Sequence, residues 1–197
     1  MVRHPLIQRK AGVGDWLTID DTHAHLDIRT TLDTQDGAII YFEILGKLEM
    51  TEAIQKAIMF VSRCQNLETE HNDTKWSVKN PDGGFYYTGA AGGSSQAKWP
   101  EGQSKEVLGL RSYGSMTYMG LKSLIYAGLT ADDPRVKAAT EWISKNYRLD
   151  VNPGLGKEGL YYYYHTFAKA LDALGVEVFM DAKGEKHNWR HELTEKL

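Results

Sequence analysis

The hydrophobic period of this chain changes once, at Leu48-Glu49-Met50-Thr51, and that change limits its fold more than any other feature. Before it the period is two; after it the period is 3.6, the spacings at which strands and helices return side chains to one face. Ala24, Leu26, Ile28, Thr30 and Leu32 alternate with His23, His25, Asp27, Arg29 and Thr31, the pattern of a half-buried strand. Residues 38–45 are rich in β-branched and aromatic side chains and predict a second, largely buried strand. Asp20-Asp21-Thr22 and Asp33-Thr34-Gln35-Asp36-Gly37 carry turn chemistry, with Gly37 able to take a positive φ cheaply. Residues 1–48 are therefore expected to form an antiparallel β-meander, and residues 49–197 a helical part. The fold class is α+β.

In the second part Thr51 reads as an N-cap, followed at helical spacing by Ile54, Ala57, Ile58, Val61 and Cys64. Cys64 falls on that stripe, as a buried and inert thiol would. Residues 67–112 hold no sustained period. They are rich in Gly, Pro, Asn and Ser and read as one long loop, with a short extended piece at residues 83–88. Gly83-Gly84 is not followed by Gly-Lys-Ser/Thr or by a helix, so it is no phosphate loop.

A helix from Ser115 to about Ala127 carries Tyr118, Leu121, Leu124 and Ile125 on its stripe. Asp133-Pro134 then supplies an N-cap and a first-turn proline for a third helix, with Val136, Ala139, Thr140, Ile143 and Tyr147 inward and Glu141 and Lys145 in solvent. After Asn152-Pro153-Gly154 comes the strongest helix, residues 159–175. Tyr164, Phe167, Ala168, Leu171 and Leu174 share one side; Tyr161, His165, Lys169 and Asp172 share the other, and Gly175 suits a left-handed end. Asp181-Ala182-Lys183-Gly184 is a turn, and a last helix is expected over His187 to Leu197. Polar-sided helices alternating with nearly apolar ones, about 50 residues per pair, are the mark of stacked α/α hairpins.

The net charge of −3 leaves no basic footprint for nucleic acid. A single cysteine excludes an internal disulfide and a cysteine-rich metal site. No apolar run approaches the ~20 residues of a membrane helix, and the first residues lack the apolar stretch of a signal peptide, so a cytoplasmic location is expected. His23 and His25 share a strand face, and His187 and His191 stand four apart. Neither pair has a third ligand apparent in the sequence, and both read as surface histidines. No metal and no cofactor is expected.

Two resemblances add to this. Residues 14–19, 24–29 and 36–41, Gly-Asp-Trp-Leu-Thr-Ile, Ala-His-Leu-Asp-Ile-Arg and Asp-Gly-Ala-Ile-Ile-Tyr, resemble the middle of a bacterial small β-barrel family of unknown function, over about residues 5–48. Phe60-Val61-Ser62-Arg63-Cys64-Gln65-Asn66 followed by Pro81-Asp82-Gly83-Gly84-Phe85 resembles the glutamine-to-Gly-Gly-Phe repeat of the prenyltransferase and squalene-cyclase (terpenoid cyclase) superfamily. Residues 110–118, 133–136 and 163–171 continue it, so that it spans about residues 51–197. It implies part of an α/α toroid around an aromatic-lined cavity for isoprenoid chains, with Phe85, Tyr118, Tyr161, Tyr164, His165 and Phe167 as ligand-binding residues.

The same resemblance sets requirements for catalysis. Prenyl transfer on zinc needs an Asp-x-Cys pair besides a histidine after a tyrosine; His165 after Tyr164 fits, but no Asp-x-Cys pair exists here. Cyclisation needs an acidic cluster, for which Asp132-Asp133 is the only candidate, and the N-cap role already explains it. A binding module for an isoprenoid or another apolar molecule is thus favoured. The alternatives are an enzyme acting through His165 and the Tyr161–Tyr164 wall, and an inert fusion of two partial domains that forms homo-oligomers through exposed inner helices.

Overall fold

The computed structural model describes residues 14–19, 23–33, 39–49 and 52–197, with side chains from Ile54 onward. The turns expected at residues 20–22 and 34–38 and the Thr51 cap lie outside the described residues. The chain divides into two compact units, residues 1–55 and 56–197. The fold class is α+β.

In the first unit β1 (Gly14–Ile19), β2 (His23–Asp33) and β3 (Ile39–Glu49) pair antiparallel in chain order. The register sets Leu17 opposite Leu26 and Ile28 opposite Ile44. Two adjacent long strands of 11 residues each are the consequence of the uninterrupted period-two pattern.

The second unit is built on α3 (Gly114–Tyr126), which packs against both α4 (Pro134–Asn146) and α5 (Leu160–Ala173). Helix α1 (Glu52–Ser62) precedes them, and a four-residue α2 (Lys105–Leu108) lies inside the stretch expected to be loop throughout. Leu121 and Leu124 of α3, Val136, Ala139 and Ile143 of α4, and Phe167, Ala170 and Leu171 of α5 are all essentially inaccessible and form one core. Thr140, expected inward, is only half-buried, and Trp142 is buried in its stead. Cys64 is buried beneath this core's edge, where burial pushes its thiol pKa up.

The cap of α4 is as expected. The Asp133 carboxylate accepts from the Arg135 backbone N–H at 2.9 Å and pairs with the Arg135 guanidinium at 2.8 Å, while Pro134 stands in the first turn. The hydrogen bonds from Arg135 hold the Asp133 carboxyl below its ordinary range. A depressed pKa in the folded state contributes stability above the unfolded value, and that contribution is lost as pH falls through the folded one. Asp133→Ala is expected to lower stability by about 1 kcal/mol near neutral pH. Urea unfolding of both proteins checks this, and the difference between them should vanish in strong acid.

Residues 67–113 are irregular but not loose. Trp76, Phe85, Tyr86 and Leu110 from this stretch are at most 2% exposed. Phe85 lies flat against α3 at Gly120, where a Cβ would come within 2.5 Å of its ring. Only a residue without a side chain allows that approach.

The C-terminal region departs from the expectation. His187 is not helical: β4 (Phe179–Met180) and β5 (Lys186–His187) form a short hairpin around the Asp181–Gly184 turn. Helix α6 is only Trp189–Thr194, capped by the Asn188 side chain. Asn188 wins because its Oδ1 accepts from the His191 N–H at 3.3 Å, which ends the extended run and starts the helix there. His187 and His191 therefore do not share a helix face.

Candidate functional site

Helix α5 is packed over a wider arc than one stripe. Tyr163, Tyr164, Thr166, Phe167, Ala170 and Leu171 are all buried. Tyr163 meets Tyr118 of α3 edge-on at 5.6 Å, and its hydroxyl donates to the Arg148 carbonyl at 2.7 Å. The Tyr164 hydroxyl donates to the neighbouring Leu149 carbonyl at 2.6 Å. Two consecutive tyrosines face inward because the turn after α4 offers each of them a buried acceptor. Phe167 sits amid the rings of Tyr118 at 5.0 Å, Tyr147 at 5.5 Å, Tyr163 at 5.9 Å and Trp189 at 6.1 Å.

The six residues expected to bind a ligand are thus divided. Phe85, Tyr118 and Phe167 are packed inside the core, and Tyr164 is almost as deep. Tyr161 is 81% exposed, and His165, one turn along, is exposed with it. Tyr162 and Tyr87 are each about half exposed, and both lie close enough to the buried Tyr113 to add to the effect of burial in raising its phenol pKa to about 12. Tyr161 touches the edge of the Tyr164 ring, with centroids at 6.3 Å. A tyrosine face therefore lies on the first turn of α5, where Tyr161 and Tyr162 are exposed and Tyr164 is packed beneath Tyr161.

The segment that resembles a Gly-Gly-Phe repeat makes a hydrogen-bonded knot. Gln65, fully buried, donates through Nε2 to the carbonyls of Gly83 and Arg135, both at 2.9 Å. Asn66 donates to the Leu110 carbonyl at 2.7 Å and to Ser112 Oγ at 2.9 Å. Asp82 accepts from Ser112 Oγ at 2.7 Å, the Gly84 N–H at 3.0 Å and Trp142 Nε1 at 3.2 Å. Gly83 (φ +80°) lies against the Ala138 carbonyl, so any Cβ there is both strained and obstructed. The amide donors and the Asp82 carboxylate of this motif are thus committed to backbone or to neighbouring side chains.

Two open clefts lie apart from the tyrosine face. One, of about 260 Å³, is lined by Ser95, Lys98, Trp99, Lys105 and Arg111 among others. Its cations are turned onto backbone carbonyls: Lys98 to Ser95, Lys105 to Gly92 and Gly93, and Arg111 to Lys98. The other, of about 390 Å³, runs between the Pro81–Gly83 turn and α4 at Glu141, Trp142 and Lys145. None of the six expected ligand residues lines either cleft.

The histidine pair is replaced by a different grouping. His187 Nδ1 stands 3.0 and 3.2 Å from the two oxygens of Glu192, and the Tyr147 hydroxyl donates to Glu192 Oε2 at 3.0 Å. The Tyr147 ring stacks on the imidazole, with centroids 4.0 Å apart. Burial and the Glu192 carboxylate both push the Tyr147 phenol pKa up, so it stays a donor. On the other edge His187 Nε2 faces Asp181 Oδ2 at 3.7 Å. Asp181, Glu185 and His187 bring one ligand atom each within 4.8 Å of one another. Sequence spacing does not show this, because the hairpin turn, not a helix, brings the carboxylates to the histidine; the turn residues Asp181-Ala182-Lys183-Gly184 are its only trace. His191 is exposed and lies outside the group.

Known proteins add little chemistry to this geometry. Residues 9–78 match a family described as a protein of unknown function (DUF3237). That match covers about a third of the chain: the three strands, α1 and the first part of the irregular stretch. No curated protein and no solved structure matches the chain. No helix among the described residues is long and apolar enough to cross a membrane.

Proposed function

We propose that residues 56–197 are a binding module, part of an α/α toroid, that takes an apolar ligand of isoprenoid type against its tyrosine face, without catalysing a reaction. The observation that carries the reading is the exposure of the consecutive Tyr161 and Tyr162 on the first turn of α5, above the buried Tyr164. Contiguous exposed rings mark a binding surface, whereas scattered ones do not. Tyrosine is suited to that task, with an apolar body for the chain and a hydroxyl for a polar head. In support, α3 and α5 are the pair of nearly apolar helices and α4 the polar-sided one, the alternation that stacked hairpins require. For residues 1–48 we propose part of a small β-barrel, supported by three strands paired in chain order.

Catalysis is disfavoured by two placements. Asp133 is committed to Arg135, which lowers its pKa, the opposite of what a proton donor for cyclisation needs. His165 stands on the exposed side of α5, away from the enclosed aromatic rings that would have to shelter a carbocation.

The test replaces Tyr161 and Tyr162 together by serine. Both are exposed, so the fold should lose no more than about 0.5 kcal/mol at each position. A long-chain prenyl alcohol should raise the melting temperature of the parent protein, and the double variant should bind it at least about tenfold more weakly. Equal binding in both would overturn the reading. Indifference to the lipid, together with concentration-dependent association in sedimentation, would favour the inert, self-associating alternative. Turnover of a prenyl diphosphate that disappears in His165→Ala would favour the enzyme.

A further inference from the structure

The C-terminal hairpin presents a donor set that the proposed lipid module does not use. We infer that Asp181, Glu185 and His187 form a binding site for a divalent transition-metal ion of borderline softness, with Zn2+ as its representative.

Three features of the geometry argue for it. The first is the state of His187. Its Nδ1 faces the Glu192 carboxylate at 3.0 Å, and its Nε2 points at Asp181 Oδ2, 3.7 Å away. Nε2 itself is shielded from solvent and has no hydrogen-bond partner among the described residues. A buried polar atom without a partner is costly, and an ion held between Nε2 and Asp181 Oδ2 would satisfy it.

The second is the chain of groups behind the ring. Glu192 accepts from His187 on one side and from Tyr147 on the other, while the Tyr147 ring stacks on the imidazole. A carboxylate on the far nitrogen is the arrangement that fixes the tautomer, aims the ring and strengthens it as a ligand. The ring is held in place before any ion arrives.

The third is the carboxylates. The second oxygen of Asp181, Oδ1, is occupied by the N–H groups of Lys183 at 2.9 Å and Glu185 at 2.8 Å, which orients Oδ2 toward His187. Ligands 2.0–2.2 Å from a tetrahedral ion lie about 3.4 Å apart, close to the 3.7 Å seen between Oδ2 and Nε2. Glu185 is exposed and needs only a side-chain rotation to close the third corner, with water completing the set. One nitrogen and two carboxylate oxygens suit Zn2+ or a neighbouring ion better than a thiol-seeking or all-oxygen one.

Two further contacts bear on what the ion would do. The hairpin is tied to α4 by the Ala182 N–H to the Ser144 carbonyl at 3.0 Å, and to α6 through Glu192. All three ligands lie on the hairpin, so an ion would lock its turn and two strands together and reach α6 only through the His187–Glu192 contact, a structural role.

The experiment titrates the metal-free full chain with Zn2+ against a chromophoric chelator, with Co2+ absorption as a second signal. Glu185→Gln should leave the metal-free melting temperature unchanged, because the side chain is exposed, and weaken Zn2+ at least about tenfold. His187→Gln should abolish the visible Co2+ bands. Glu192→Gln should weaken Zn2+ by about 10–100-fold although it is not a ligand, and His191→Gln should change nothing. Absence of Zn2+ binding by the parent chain would overturn the inference, as would affinity unchanged from the parent in Glu185→Gln or His187→Gln, or loss of binding in His191→Gln. Because no lipid enters the assay, this result and the test of the tyrosine face are independent.

Discussion

Raising the pH from about 9 to about 12 is expected to destabilise the helical unit by several kcal/mol. Burial raises the phenol pKa of Tyr86 and of Tyr113 to about 12, and raises those of Tyr118, Tyr147 and Tyr163 as well. Tyr86 and Tyr113 are 0% and 3% exposed, so solvent does little to soften the effect. In the unfolded chain each phenol releases its proton near the ordinary value of about 10. Between that value and the raised one, the unfolded state binds fewer protons than the folded state, so stability falls as pH rises. Holding a phenol proton to about pH 12 instead of about 10 corresponds to roughly 2–3 kcal/mol for each of these two tyrosines. Two such groups together approach the low end of the roughly 5–15 kcal/mol that holds an ordinary domain together. The check is the urea midpoint as a function of pH, followed in parallel with tyrosinate absorbance. Ionisation of every tyrosine in one step near the ordinary value, with the fold intact, would sink the prediction. Tyr86→Phe should flatten the alkaline slope while losing the 2.6 Å bond from the Tyr86 hydroxyl to the Arg63 carbonyl.

Phe167→Ala is expected to cost about 3–5 kcal/mol. The ring is inaccessible, and four other rings lie within 6.1 Å of it. Rigid aromatic neighbours collapse poorly into a vacated space, which places the site toward the upper end of that range. Phe167→Leu should cost much less, about 1–1.5 kcal/mol, since most of the volume is kept. Chemical denaturation of the two variants separates the cases, and a loss below about 1 kcal/mol for the alanine variant would show that the cluster does not depend on this ring. The same burial makes Phe167 a poor probe of ligand binding. Tyr161 and Tyr162 can be changed without opening the core.

The parts of the fold that can be read from sequence are those fixed by local chemistry. Asp133-Pro134 places the start of α4, and Gly175, at φ +73°, places the end of α5. The parts that cannot be read depend on partners far along the chain. Tyr163 and Tyr164 are both inward because consecutive carbonyls of the Arg148-Leu149 turn wait for their hydroxyls. A single hydrophobic stripe cannot express that. Likewise the helical spacing of His187 and His191 suggests one helix face. The competing hydrogen bond of the Asn188 cap puts the first in a strand and the second in a helix. The carboxylates then reach His187 through a turn, and a spacing rule cannot foresee them.

The knot around Gln65, Asn66 and Asp82 also governs the order of events when the chain folds. Three of its bonds join residues 44 to 70 positions apart: Asn66 to Leu110, Trp142 to Asp82 and Gln65 to Arg135. Such pairings close large loops and so come late and slowly. Residues 67–113 have few regular backbone ladders to hold them in the meantime. During synthesis Phe85 must therefore wait for α3, on which it packs at Gly120, and the Gln65 and Asp82 bonds must wait for Arg135 and Trp142 of α4. The nascent chain thus passes through a period in which this irregular segment depends on helices not yet made.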